Sequence, residues 1–481
     1  MITFFVAVLV LFIGFFIYGK VMDKLFRIDE ARTTPAYALN DGVDYMPMST
    51  WRVFLIQLLN IAGLGPIFGA ILGACWGPKV YLWIVFGSIF AGAVHDYLSG
   101  MMSMRKNGAS ISEISGDYLG QSMRQLMRVF SVILLILVAL NFSVGPASLI
   151  STLTPEGYNA KFWLAIILIY YLAATFLPID KIIGKLYPLF GLALILMALG
   201  IAVSMITNDK HVMPELTMAE LMAPHPKELP VWALMFVTVA CGAISGFHAT
   251  QSPMMARCLK NEKHGRAVFF GAMISEGVIA LIWAAAGVTF YNSVGPLNEA
   301  ISAYGVATVV HNISTGMLGT IGGMLAMIGV IVCPITSGDT SLRSVRLIIA
   351  DWFKIEQKSI SKRLIITIPL LAVVALGSQL PFEVMWRYFS WSNQTLATIV
   401  LWTGAAFLYK HGFSKSACFI VVAPATFMSA VIMTYILQAK EGFNLPVTIA
   451  YPAGIVFALL CLILFMTKIY NKGIEPAHSN V

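Results

Sequence analysis

Three short stretches carry ionisable side chains inside otherwise apolar runs: His95 and Asp96 in FAGAVHDYLSG, His248 in GFHATQSP, and Asp339 in PITSGDTS. A carboxylate surrounded by lipid is costly unless it is paired, hydrated or close to the interface, so each of these positions is a functional candidate. His95 and Asp96 suit ion coupling or gating, against the plainer reading of a cap near the membrane surface. His248 suits carboxylate binding or proton transfer, against a structural hydrogen bond between helices. Around Asp339, the residues Thr336, Ser337, Thr340 and Ser341 concentrate oxygen atoms, which hard cations favour. Thr336 and Ser337 could join backbone carbonyls in a sodium site, while Asp339 could hold a proton or pair with Arg343 four residues later. A helix end with local caps is the alternative there. Glu276 is another acid in an apolar run, but its neighbours are less polar and it ranks lower.

The segments that must position these groups are themselves interrupted. QLLNIAGLGPIFGAILGACWG, residues 57–77, places Gly63, Gly65 and Pro66 in an apolar core, and Pro66 has no N–H to give to a continuous helix. This predicts a bend or unwound turn near 61–66, with close helix packing through small residues as the alternative. VACGAISGFHATQSPMMARC, residues 239–258, sets Gly242, Gly246 and Pro253 around His248, Thr250, Gln251 and Ser252. Carbonyls freed at such breaks can coordinate a cation, and the following half-helix N-terminus can receive a carboxylate. The predicted substrate cavity therefore joins Asn60, Gly63, Gly65 and Pro66 to His248, Gln251 and Ser252. Pro334 and Gly338 predict a third interruption.

Composition says what surrounds these breaks. Of 481 residues, 58% are hydrophobic and only 11% charged, too few polar groups to cover soluble domains, so the chain is read as an all-α polytopic membrane protein. Thirteen apolar runs are expected, at about 2–19, 53–73, 80–102, 129–150, 162–178, 186–206, 229–250, 268–290, 317–335, 364–380, 384–409, 417–437 and 448–467. The first is flanked by Lys20, Lys24 and Arg27 on its C-terminal side, the pattern of a retained helix with its N-terminus outside. Alternation from that start puts 25 of the 31 basic residues on the cytoplasmic side and the C-terminus inside. The two Gly/Pro-rich runs lie five spans apart. An odd spacing gives them opposite directions in the membrane, as in a five-plus-five inverted repeat. The expected organisation is an N-terminal helix and loop over 1–50, repeats over 51–206 and 229–410, and two further helices with a tail over 411–481.

The formal charge of +8 is not a nucleic-acid footprint, because the basic residues sit in short clusters between spans. Cys75, Cys241, Cys258, Cys333, Cys418 and Cys461 form no CxxC pair and read as small buried hydrophobes rather than ligands or disulfides. Asn393, Gln394 and Thr395 follow Trp386, Tyr388, Phe389 and Trp391, and read as an interfacial belt more readily than a gate rim. No cofactor is expected, and no GxxxxGK[ST] loop supplies ATP binding. The expected partners are lipids and a small-molecule or peptide substrate. A secondary carrier coupled to H⁺ or Na⁺ is the leading function, with a passive channel, then an embedded redox or sensory protein, as alternatives.

Several motifs in order resemble the carbon starvation protein A family: RTTPAYALNDGVDY at 32–45, NIAGLGPIFGAI at 60–71, HDYLSG at 95–100, HATQSP at 248–253 and PITSGDTSLRSVRLIIADW at 334–352. The resemblance implies a transporter of the bacterial cytoplasmic membrane that serves during carbon limitation, taking up peptides or, in close relatives, pyruvate with protons. It also implies a leucine-transporter-like fold of the amino acid–polyamine–organocation superfamily. Motif by motif, the first broken helix falls at Asn60–Pro66, the second at His248–Pro253, and the cation-side segment at Thr336–Thr340. The chain is shorter than the long family members, which carry extra C-terminal spans.

Overall fold

A backbone in hydrocarbon must satisfy its own polar groups, and the chain does so with helices. The computed structural model describes residues 1–42, 45–176, 179–207, 213–357, 359–413 and 415–470; Lys358 and Lys472 fall outside these, as do the side chains of Lys181, Lys185 and Lys415. Helix α1, Ile2–Phe26, turns one face inward and leaves the other to lipid. Next come α2, Thr50–Ile61; α3, 65–73; α4, 80–105; a short α5, Ile111–Leu119; α6, Gln121–Leu153; α7, Ala160–Ala174; and α8, Ile179–Thr207. They are followed by α9, Leu234–Thr238; α10, Gly246–Ala256; and α11, Glu262–Phe290. A helical run over 294–353 is cut by Gly305 (φ 78°) and Gly319 (φ 69°), whose backbone conformation a side chain would strain, into α12 (294–304), α13 (306–318) and α14 (320–353). Then come α15, Ile360–Gly377; α16, Phe382–Lys410; α17, Lys415–Gln438; and α18, Val447–Phe465.

Among the described residues nine helical runs are long and apolar enough to cross a bilayer, so the expected thirteen is not confirmed. The shortfall has a physical origin. Chains α2/α3 and α9/α10 are pairs of half-helices, α7 has 15 residues, and α16, though 29 residues long, carries Ser390, Ser392, Asn393 and Gln394 toward the core. A second expectation is corrected: α14 runs unbroken through Pro334 and Gly338. Gly338 serves close packing instead, since a Cβ there would stand 2.0 Å from the Tyr171 hydroxyl.

Helices α6 and α14 pack along each other as a framework, joined by α7, α8 and α15. Helices α2, α4, α10 and α11 form an inner group beside it, and α17 and α18 pack together at the periphery. At one end, basic loops separated in sequence converge. Buried Glu262 receives Arg105 Nε and Nη2 at 3.0 and 2.9 Å, the Asp29 N–H at 3.0 Å, and an ion pair with Arg32 at 3.4 Å. Thr34 donates to the Leu259 carbonyl at 2.7 Å and Met48 N to that of Cys258 at 3.0 Å, which ties the 27–49 loop beneath α10. At the other end, the Met1 amine and Thr3 hydroxyl hold Glu215, and Lys79 donates to the Ala223 carbonyl. There, burial, with Lys227 and Lys79 nearby, pushes the His225 imidazole down to about 4, so it stays neutral at physiological pH.

Glu262 is a buried charge, and losing Arg105 leaves it only the Asp29 N–H and the longer Arg32 pair at 3.4 Å. Arg105→Ala is expected to cost about 3–5 kcal/mol of stability, and adding Glu262→Gln should recover much of that; thermal unfolding of the detergent-purified variants measures both.

Candidate functional site

Two helix breaks meet at the centre. Helix α2 ends at Ile61, residues 62–64 leave helical geometry, and α3 resumes at Gly65 with Pro66 in its first turn. Helix α9 ends at Thr238, residues 239–245 are non-helical, and α10 begins at Gly246. The start of α3 touches the second break: a Cβ added to Gly65 would lie 2.1 Å from the Cβ of Cys241, so only glycine permits this approach. Of the groups freed by the first break, the carbonyls of Leu59 and Ala62 accept from Cys333 Sγ of α14 at 3.3 and 3.2 Å. The side-chain oxygen of buried Asn60 has no protein partner.

The second break is held from α16. Asn393 Oδ1 accepts from Phe247 N at 2.7 Å and from Ser245 Oγ at 3.1 Å, while its amide donates to Cys241 Sγ at 3.3 Å. Asn393 thus caps α10 from another helix. It is fully buried, so the expectation that it belongs to an interfacial belt is corrected; Trp386 is buried too and packs on Phe68. The aromatic residues around Asn393 pointed to the interface, and only the tertiary pairing reveals the cap.

Behind the breaks lies a chain of ionisable groups with no exposed atoms. Asp96 of α4 accepts from His95 Nδ1 at 2.7 Å on one oxygen and from His248 Nδ1 at 2.8 Å on the other. His248 Nε2 stands 3.3 Å from Glu276 of α11 without hydrogen-bond geometry. Full burial removes the surface-cap reading of His95 and Asp96. It also raises Glu276, which the sequence ranked low because its polar neighbours come from α10 and the 239–245 break, far away along the chain. Cys241, read from the sequence as an inert hydrophobe, lies beside His248 and Glu276.

The expected cavity residues are therefore only partly assembled. The start of α3 at Gly65 and the second break at Cys241 touch, while the His248 ring is engaged by Asp96 and faces Glu276. Ser252 accepts from Gln57 Nε2 of α2 at 3.3 Å and itself donates to the His248 carbonyl, and Gln251 Nε2 bonds Thr250. Gly63 packs where a Cβ would meet the Phe142 ring at 2.4 Å. On α14, the Thr336 and Thr340 hydroxyls donate to the carbonyls three residues back, buried Ser337 Oγ has no protein partner, and Asp339 pairs with Arg343 at 3.6 Å. Asp339 lines a small pocket with Tyr171, Thr175, Arg343 and Arg346, apart from the His–Asp–His–Glu chain. A cavity of about 1070 Å³ is a mainly apolar groove lined by Trp83, Phe86, Phe90 and Phe427, and no residue of either break lines it.

Removing the Asn393 cap strands the Phe247 N–H and Ser245 hydroxyl in the interior. Asn393→Ala is expected to destabilise the protein by about 1–3 kcal/mol and to raise amide exchange at 245–248 selectively, measurable by hydrogen–deuterium exchange mass spectrometry.

This architecture has known counterparts. Over 87% of this chain and 98% of that one, the crystal structure of MhsT in complex with L-phenylalanine superposes with a TM-score of 0.56 at 14% identity, which establishes the five-plus-five leucine-transporter fold. An uncharacterized membrane protein of Haemophilus influenzae is 44% identical over 351 residues, 63% of this chain and 95% of that protein. The peptide transporter CstA of Campylobacter jejuni is 30% identical over 57% of this chain and 48% of its own length. The pyruvate/proton symporter BtsT of Escherichia coli is 26% identical over 54% and 45%. The matches to these two named transporters thus span about half of their length. The residue profile of the carbon starvation protein CstA family matches segments 1–156, 149–298 and 285–435, and with nearly the whole chain so covered, this multi-pass membrane protein belongs to that family.

Proposed function

We propose that this chain is an ion-coupled secondary transporter that imports peptides or a small carboxylate such as pyruvate across the bacterial inner membrane during carbon limitation, with its N-terminus outside. The observation that carries the reading is the contact between the start of α3 at Gly65, just after the 62–64 break, and Cys241 of the 239–245 break, inside a five-plus-five fold. A break of this kind is expensive in an apolar interior, and paired breaks supply what a carrier needs: free N–H groups with positive dipole character at α3 for a carboxylate, and free carbonyls at the end of α2 for a cation. The names of the Campylobacter jejuni and Escherichia coli relatives support the two substrate classes. Asn60, Gly63, Gly65 and Pro66 form the substrate seat on one side. His248, Gln251 and Ser252 complete it on the other once the breaks part, because all three are now buried.

Two seats suit the coupling cation. The carbonyls of Leu59 and Ala62 are held by Cys333 Sγ of α14, and Thr336 and Ser337 follow on the same helix with hydroxyl oxygens; this set suits sodium. Asp339, with Thr340 beside it and Arg343 as its partner, suits a proton. His95 and Asp96 act as the gating pair, since Asp96 fastens α4 to α10 through His248 and makes the inner helices move together.

Sealed proteoliposomes loaded with this chain, offered labelled pyruvate or di- and tripeptides under a proton gradient alone or a sodium gradient alone, test the proposal. Saturable uptake driven by one gradient, with counterflow, is expected. Flux independent of both gradients, or single-channel currents, would reject the coupled carrier. In the same assay Asp339→Asn should lower gradient-driven uptake by about 5- to 150-fold, the range of a typical coupling free energy, while leaving substrate binding much less affected. Unchanged uptake would remove Asp339 from coupling.

A further inference from the structure

Three potential metal ligands converge where the second break meets α11. Cys241 Sγ, a ring nitrogen of His248 and a carboxylate oxygen of Glu276 lie within 4.8 Å of one another, and all three residues are buried. The geometry points to a site for a borderline-soft divalent ion of the zinc class, bound by Cys241, His248 and Glu276.

The hydrogen bonds around His248 support this assignment first. Its Nδ1 bonds Asp96 Oδ2 at 2.8 Å, which holds the ring so that Nε2 stands 3.3 Å from a Glu276 carboxylate oxygen, without hydrogen-bond geometry between them. Neither Nε2 nor either Glu276 oxygen has a hydrogen-bond partner within the protein, although each is fully buried. Buried charges are normally paired, hydrogen-bonded or metal-bound, and unsatisfied His248 and Glu276 atoms gathered with the Cys241 sulfur match the third case.

Distances agree. Bonds of about 2.0–2.1 Å to nitrogen and 2.0–2.2 Å to oxygen at a tetrahedral metal set the N···O edge at about 3.3–3.5 Å. The observed His248–Glu276 separation is 3.3 Å. Cys241 belongs to the non-helical 239–245 segment, where a side-chain rotation can bring Sγ to the longer zinc–sulfur distance. A sulfur, nitrogen and oxygen set selects zinc-like ions over sodium, magnesium or calcium. Three protein ligands leave a fourth position for water or an anion.

The surrounding groups are those that orient metal ligands. Asp96 holds the far nitrogen of His248, a carboxylate–histidine–metal arrangement, and is itself fixed by His95 at 2.7 Å. Asn393 donates to Cys241 Sγ at 3.3 Å, which fixes the position of the sulfur. These ligands come from the second break and from α11, with the bracing carboxylate on α4, so the ion would fasten the inner group of helices beside the break. The rival occupant is a proton shared by His248 and Glu276.

The test is metal analysis of the intact chain, purified in detergent through a tag that binds no metal and without chelators. Inductively coupled plasma mass spectrometry should find one zinc-class ion per chain. After chelation, added Co²⁺ should produce a thiolate-to-cobalt charge-transfer band that Cys241→Ser abolishes, whereas His311→Gln, remote from the cluster, retains it. Asp96→Asn should weaken metal affinity by about 10–100-fold, the usual effect of losing an outer-shell partner. If Cys241→Ser fails to fold, the wild-type chain still decides: zinc titration should raise its Tm with one-to-one stoichiometry. Folded wild-type protein that holds only substoichiometric metal, shows no cobalt–thiolate band and has a Tm indifferent to zinc would overturn the site and leave the shared proton.

Discussion

Asp96 reaches no water, yet two histidines converge on its carboxylate, and that arrangement constrains everything around it. A carboxylate in an apolar interior must be met on both oxygens. Meeting it engages the His248 ring and fixes the rotation of α10 against α4. The orientation of α10 then presents His248 Nε2 to Glu276, and Asn393 holds the start of the same helix. The two breaks therefore sit in a frame whose polar groups largely answer one another. Asn60, Ser337, Glu276 and His248 Nε2 are among the buried groups without a protein partner, and they lie where ligands are proposed.

The same rule explains why a break can persist in a membrane protein. An unwound segment frees N–H and C=O groups that lipid cannot pair, so each must find a partner inside. At 239–245 the Trp83 indole donates to the Val239 carbonyl at 3.3 Å and the Ser88 hydroxyl to that of Gly242 at 3.0 Å, while Asn393 of α16 holds the Cys241 and Ser245 side chains and the Phe247 N–H. At 62–64 the carbonyls meet a thiol, a weak donor that a better cation ligand set can displace without stranding a strong hydrogen bond. That contrast makes the first break the adaptable one and the second the rigid one. It matches the proposed division between a cation and carboxylate seat at α2/α3 and a fixed, metal-braced corner at Cys241, His248 and Glu276.

Much of this was legible in the residues. Gly63, Gly65 and Pro66 located the first break and Gly242 and Gly246 lie at the second, although the segment His248–Pro253, where the break was expected, is helical and the break falls earlier, at 239–245; the rarity of charge singled out His95, Asp96 and His248. Local rules failed where partners are distant. Asn393 lies 146 residues from the Phe247 N–H it caps, and its aromatic neighbours suggested an interface. Glu276 looked isolated because its company arrives from other helices. Pro334 and Gly338 carried the signal of a break, yet packing against α6 and α7 keeps α14 straight, and Gly338 admits the Tyr171 hydroxyl. The span count failed for the related reason that half-helices and the polar α16 do not look like membrane segments by length and apolarity.

The central claim is that substrate sits between the two breaks, and a cryo-electron microscopy structure with pyruvate or a tripeptide bound addresses it most directly. The account predicts ligand density between 60–66 and 245–252, with a carboxylate against the start of α3 and the Gly65–Cys241 contact opened. Substrate density in the apolar groove lined by Trp83, Phe86, Phe90 and Phe427, with the breaks still closed on each other, would contradict it.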